Sequence, residues 1–250
     1  MPNAWDAGSA RLIESLGARA IATTSAAVAW SHGYADGNFL PVALLTQTVA
    51  EIARVVRVPL SVDLEGGYSD DPGVVGENVA AVVRAGAVGI NLEDGAGSPD
   101  LLCAKITEAK RAAARLGVDL FVNARTDTHL RNLIPPDRRV EETLRRAECY
   151  RAAGADGLFV IGLVDPAAIR TIAAAVSLPL NLLARAGLPA AAELGALGVR
   201  RLSAGSSIPE ALYGRLGALA AGFLATGCSD PLLDGAMAYR DLNALMDAGN

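Results

Sequence analysis

The sequence lacks a cysteine framework. Its three cysteines, Cys103, Cys149 and Cys228, stand far apart and form no CxxC pair or Cys/His cluster. That spacing excludes a zinc site and a disulfide scaffold and points to a reducing cytoplasm. No apolar run reaches the ~20 residues needed to span a bilayer. The opening MPNAWDAGSARL has no basic stretch followed by an apolar one, so a soluble, unprocessed chain is expected. There is no Lys/Arg block either. With 27 acidic against 22 basic residues mixed along the chain and a net charge of −5, nucleic acid and membrane are excluded as partners. No GxGxxG or Walker-type loop follows an apolar run, and no linker, repeat or low-complexity block divides the chain.

What is present is ample material for a core: 250 residues, 52% apolar and 20% charged, a composition that excludes disorder. Short apolar runs at 20–25, 59–65, 88–94, 119–125, 157–162, 179–184 and 200–205 read as seven strands. Between them, apolar positions at helical spacing mark Pro72–Arg84, Leu101–Leu116, Val140–Ala153, Ala167–Ala174 and Ala190–Leu197. Glycines at 17, 86, 117, 154 and 198 stop the helices just before the next strand. Nearly continuous apolar strands alternating with helices demand a parallel sheet covered on both faces. A closed (β/α)8 barrel needs one more strand, which must be the first, ending at Pro2-Asn3-Ala4-Trp5, with Ser9–Leu16 as its helix. An open doubly wound sheet is the alternative, disfavoured because its usual phosphate loop is missing. After the eighth strand, Pro209–Ala225 and Asp234–Asp247 read as two further helices, more than a barrel needs. Residues 1–250 are thus read as a single domain with 207–250 as an oligomerisation segment.

Barrels of this kind place chemistry at the C-terminal ends of their strands. Those ends are acidic here: Asp63-Leu64-Glu65, Glu93-Asp94 and Asn123-Ala124-Arg125-Thr126-Asp127. Alternation sends the Asp63 and Glu65 side chains to one side, and a neighbouring strand adds Glu93 with Arg125 beside it. Carboxylates without His or Cys partners suit Mg²⁺ or Mn²⁺. The same acids could instead form ion pairs with Arg125 or cap helices. Thr23-Thr24-Ser25-Ala26-Ala27 is small enough for an anion nest or for tight barrel packing. Asp36, in Gly33-Tyr34-Ala35-Asp36-Gly37, is compatible with a simple turn.

Taken in order, NAWDAGSARL, ATTSAAVAWSHGYADG, PLSVDLEGGY, GAVGINLEDG, NARTD, AGADGLFVIG, PLNLL and LGVRRLSAGS resemble the isocitrate lyase and phosphoenolpyruvate mutase superfamily, nearly to residue 206. The resemblance implies an eight-stranded barrel, a C-terminal helix exchanged between subunits of a tetramer, and Mg²⁺-dependent chemistry next to a 2-oxo acid. It implies Asp63 as the direct metal ligand, Glu65 and Glu93 holding metal-bound waters, and Arg125 binding the substrate carboxylate. Ser25 with the backbone of Ala26 and Ala27 then receives the oxo-acid head, and Asp36 lies near the reacting centre.

The departures are specific. The Lys-(Lys/Arg)-Cys-Gly-His loop of isocitrate and methylisocitrate lyases is replaced by residues 95–103, where Cys103 has no neighbouring cation and reads as a buried helix residue. The phosphonate enzymes' loop Glu-Asp-Lys and Asn, and their His-x-Ser, are replaced by Gly95 and Ile161-Gly162-Leu163. The N-terminus is shorter than is usual in the superfamily, as in a truncated start. His32, His129, Tyr34 and Tyr68 are the remaining proton donors, and none stands out. The expectation is a Mg²⁺-dependent carbon–carbon lyase or decarboxylase of a small 2-oxo or 2-hydroxy dicarboxylate. The rivals are a carbon–phosphorus mutase or hydrolase and a non-catalytic 2-oxo-acid binding barrel.

Overall fold

A computed structural model describes residues 1–131 and 133–247. Eight parallel strands pair in chain order: β1 (Asn3–Ala4), β2 (Ile21–Thr23), β3 (Leu60–Asp63), β4 (Gly89–Glu93), β5 (Phe121–Thr126), β6 (Gly157–Val160), β7 (Leu180–Leu183) and β8 (Val199–Ser203). The edges meet through Met1 N to the Leu202 carbonyl (2.5 Å), Ala204 N to the Met1 carbonyl (3.0 Å) and Gly205 N to Asn3 Oδ1 (2.9 Å), giving a nearly closed (β/α)8 TIM barrel. The strand that closure required beyond the seven read from the sequence is β1, at Asn3–Ala4.

Around it run α1 (Ala7–Ser15), α2 (Ser25–Ser31), α3 (Val42–Val55), α4 (Pro72–Arg84), α5 (Pro99–Ala114), α6 (Arg139–Ala153), α7 (Pro166–Ala175) and α8 (Ala191–Ala196). Three of these start by one device. Asp71, Ser98 and Asp165 each cap a helix through the side chain and are followed by a proline, whose missing N–H costs nothing in the first turn. Gly17, Gly86, Gly117, Gly154 and Gly198 all have left-handed backbone, which reverses the chain into the next strand. Apolar side chains from strands and helices form one continuous core, with Val62, Ile90, Leu92, Val122, Leu158 and Leu182 fully buried.

Between β2 and β3 the chain forms two helices, α2 and α3. Residues 25–27 form the buried first turn of α2, which agrees with the tight-packing reading. The expected helix Asp234–Asp247 is broken: α9 (Ser207–Thr226) is followed by α10 (Asp230–Leu233) and α11 (Tyr239–Asp247), with Gly235 at φ 68° between them. Here α11 lies against α1 of its own chain, Arg11 Nε donating to the Leu245 carbonyl at 3.2 Å. Among the described residues, no helix is long and apolar enough to cross a membrane.

Candidate functional site

At the C-terminal mouth lies a cavity of about 310 Å³ whose lining includes Ser25, Ala26, Asp36, Asp63, Arg125 and Arg131, with Asn91 and Phe159. Asp63 is the last residue of β3, and its N–H is anchored on Thr23 Oγ1 at 2.8 Å. Oδ2 accepts from Ser25 N at 3.3 Å, while Oδ1 is sealed from solvent with no hydrogen-bond partner. Burial pushes the Asp63 carboxyl up, with Arg125 pulling it down and Asp36 adding to the rise.

Arg125, near the end of β5, is fixed from two sides. Nη1 meets Glu93 at 2.5 Å, while Nε and Nη2 fork onto Asp127 at 2.8 and 3.1 Å. Its guanidinium carbon stands 6.0 Å from the centre of the Phe159 ring. Although burial opposes its charge, Glu93 and Asp127 hold Arg125 firmly protonated. Burial pushes Glu93 up to about 8, against the pull of Arg125 and with Asp63, Asp127 and Glu65 adding to the rise. Of the five guanidinium N–H groups, three are used here, so one remains on each Nη.

Glu65 belongs to a separate knot. Asn38, Glu65 and Tyr68 are the three non-glycine residues with left-handed backbone among those described, at φ 64°, 51° and 61°. They hold one another: Asn38 N and the Tyr68 hydroxyl donate to the two oxygens of Glu65, and Tyr68 N donates to Asn38 Oδ1. Gly67 follows with φ 90°, where a Cβ would stand 2.8 Å from Val75. Such backbone persists only where its surroundings over-determine it, and it clusters at functional sites.

The sequence-selected residues therefore separate. Asp63, Arg125, Ser25, Ala26 and Asp36 share the cavity; Ala27 is buried within α2. Glu93 faces a second, outer cavity of about 480 Å³, and Glu65 is buried between the two loops. Among the described residues no three His, Cys, Asp or Glu side chains converge as a metal cage. The donor set instead fits one direct carboxylate ligand, the orphaned Asp63 Oδ1, with the hard-oxygen chemistry that Mg²⁺ or Mn²⁺ prefers. Cys103 is partly buried beside Cys149, with its thiol pushed up to about 11 chiefly by burial, the opposite of an activated acid. His32 hydrogen-bonds Thr48, Tyr34 is exposed, and the Tyr68 proton is committed to Glu65. His129 lines neither cavity, and burial lowers it to about 4.

Sequence reading missed the residues that hold this arrangement. Asp127 is fully buried and accepts from both Arg125 and Arg131; its place two residues after Arg125 on one strand end was the available signal. Asp94 accepts from Asp127 N (2.9 Å), Arg146 Nη1 (2.7 Å) and the Tyr150 hydroxyl (2.6 Å), tying the strand end to α6. Nothing local in the sequence announces those two partners.

A family model described as phosphoenolpyruvate phosphomutase matches residues 1–224. The chain is 37% identical over 210 residues to an uncharacterized protein of Mycobacterium tuberculosis, covering 82% of this chain and 77% of that one. It is 31% identical over 160 residues to the oxaloacetate decarboxylase of Ectopseudomonas mendocina, covering 60% and 52%. The solved structure of an oxaloacetate acetylhydrolase superposes with a TM-score of 0.87 at 25% identity, covering 99% of this chain and 89% of that one.

Proposed function

Because the chain belongs to the phosphoenolpyruvate phosphomutase family, we propose that it is a Mg²⁺- or Mn²⁺-dependent lyase acting on a carbon–carbon bond of a small 2-oxo or 2-hydroxy carboxylic acid. One observation carries this: a buried carboxylate oxygen, Asp63 Oδ1, shares a small cavity with Arg125, and among the described residues that oxygen has no partner and two of the arginine's N–H groups have none. Its relatives point the same way, since they include an oxaloacetate decarboxylase and an oxaloacetate acetylhydrolase.

Asp63 would hold the metal directly, with Glu65 and Glu93 orienting metal-bound waters. The ion, when bound, supplies Lewis-acid stabilisation of the oxygen that gains charge as the bond breaks. Arg125 binds the substrate carboxylate through its free N–H pair, and its hold on Glu93 and Asp127 fixes it before substrate arrives. Ser25 and the start of α2 receive the oxo-acid head. Asp36 is the second carboxylate lining the inner cavity and the group placed to take or give a proton there. Isocitrate and methylisocitrate should be poor substrates, since residues 95–103 carry no counterpart of the Cys-Gly-His loop.

The test is to follow loss of oxaloacetate, 2-oxo acids and 2-hydroxy acids with and without Mg²⁺, alongside phosphate release from phosphonopyruvate. Metal-dependent carbon–carbon cleavage supports the reading. Phosphate release would favour the carbon–phosphorus alternative that the family description carries, and binding without turnover would favour a non-catalytic barrel. We read the chain as one barrel domain, at work in the cytoplasm, whose 207–250 segment assembles copies into a homo-oligomer. Leu216 and Leu224 of α9 are 58% and 86% exposed in the single chain, apolar surface that a second copy would cover. Sedimentation as a monomer at micromolar concentration would overturn that assembly.

A further inference from the structure

The inner and outer cavities have one lining residue in common, Arg131. Resting on the 2-oxo-acid reading above, we propose that Arg131 binds a second carboxylate of the substrate, which makes the natural substrate a short 2-oxo or 2-hydroxy dicarboxylate lying across both cavities.

Arg131 is held at one end only. Its Nε donates to Asp127 Oδ2 at 2.7 Å, the carboxylate that also takes the Nε and Nη2 fork of Arg125. One buried acid thus sets two guanidinium groups side by side, one for each end of a substrate. Asp127 is itself anchored through its N–H on Asp94. The turn that carries Arg131 closes by Leu130 N and Arg131 N on the Asp127 carbonyl, at 3.1 and 3.3 Å. It sits against Gly162, where a Cβ would come within 2.9 Å of the His129 backbone.

The Arg131 side chain is 48% exposed, and among the described residues its Nη groups make no hydrogen bond, so a planar anion can take both. The other cation of the outer cavity, Lys105, is committed to the Gly66 carbonyl at 2.8 Å and to Asp70 at 3.3 Å. The loop at 95–100 brings no cation at all. The second-anion contact missing from that loop is therefore supplied from the segment after β5.

The test is calorimetric binding in Mg²⁺ of pyruvate, which has only the oxo-acid head, and of malate and 2-oxoglutarate, which carry a second carboxylate. Arg131→Ala should weaken the two dicarboxylates by at least about tenfold while pyruvate changes by less than about twofold, with Arg131→Lys between them. Equal loss for all three ligands would show that Arg131 acts only by positioning Arg125 through Asp127, and no loss for any would show that it binds nothing; either overturns the inference. Failure of the wild-type protein to bind pyruvate would instead sink the 2-oxo-acid reading and this inference with it. Thermal melting of both variants close to wild type would show that the losses are not due to unfolding.

Discussion

Asp63 and Asp94 end adjacent strands of one barrel and have opposite fates. Asp94 turns toward α6, where a backbone N–H, a guanidinium and a phenol occupy its oxygens. Asp63 faces the cavity, where one oxygen has a single long hydrogen bond and the other has none. A buried carboxylate with all its needs met holds structure together. One left short costs free energy in the empty fold and is worth keeping only for a ligand that completes it.

The widest gap between the two should appear on truncation. Asp94→Ala leaves Arg146 Nη1, the Tyr150 hydroxyl and the Asp127 N–H without their acceptor in the interior, with Arg146 keeping Glu142 through Nε, and should cost about 3–5 kcal/mol in urea unfolding. Asp63→Ala removes a poorly satisfied buried charge and should melt at or above wild type, while Mn²⁺ binding measured by calorimetry is lost. Normal Mn²⁺ affinity in that variant, or a loss of stability matching that of Asp94→Ala, would erase the distinction.

Arg125→Lys comes next. The lysine keeps the charge but cannot hold Asp127 by a fork and meet substrate through a second pair of N–H groups. Pyruvate or oxalate binding should weaken by about tenfold to a hundredfold, or roughly 1.4–2.8 kcal/mol. Unchanged affinity would place the substrate carboxylate elsewhere.

Gly162→Ala tests the wall that carries Arg131 rather than the site floor. With φ 86° and His129 backbone in the way, the added methyl should cost about 1–3 kcal/mol and weaken dicarboxylates more than pyruvate. Equal melting temperatures would mean the turn moves freely.

The last effect concerns pH. Burial first, then Arg139, lowers His129 from 6.5 to about 4. Across that window the unfolded chain takes up a proton that the folded chain refuses, so this residue removes stability as the pH falls from about 6.5 to about 4. His129→Gln should flatten that part of the stability curve, and an unaltered slope would assign the titration to other groups.

Strand order and the glycines that end helices were legible in the chain, because each follows from a local preference written over a few residues. The acids at the strand ends were legible as residues, but alternation did not carry past Asp63, where β3 ends and Glu65 takes left-handed backbone. Which acid is satisfied was not legible. Asp63 and Asp94 look alike in their local sequence, and their difference comes from Arg146 and Tyr150, more than fifty residues away and brought in by the packing of α6 on the sheet. The same holds for Glu65, drawn into the knot with Asn38 and Tyr68, and for Arg131, which borders two cavities only because Asp127 and Gly162 fix its turn. Short-range sterics and hydrophobic period determined the alternation of parallel strands and helices from sequence alone, and the contacts of Met1 and Asn3 with residues 202–205 closed it. Burial and long-range hydrogen bonding, which exist only once the barrel is packed, decided which of its mouth residues were left free to bind.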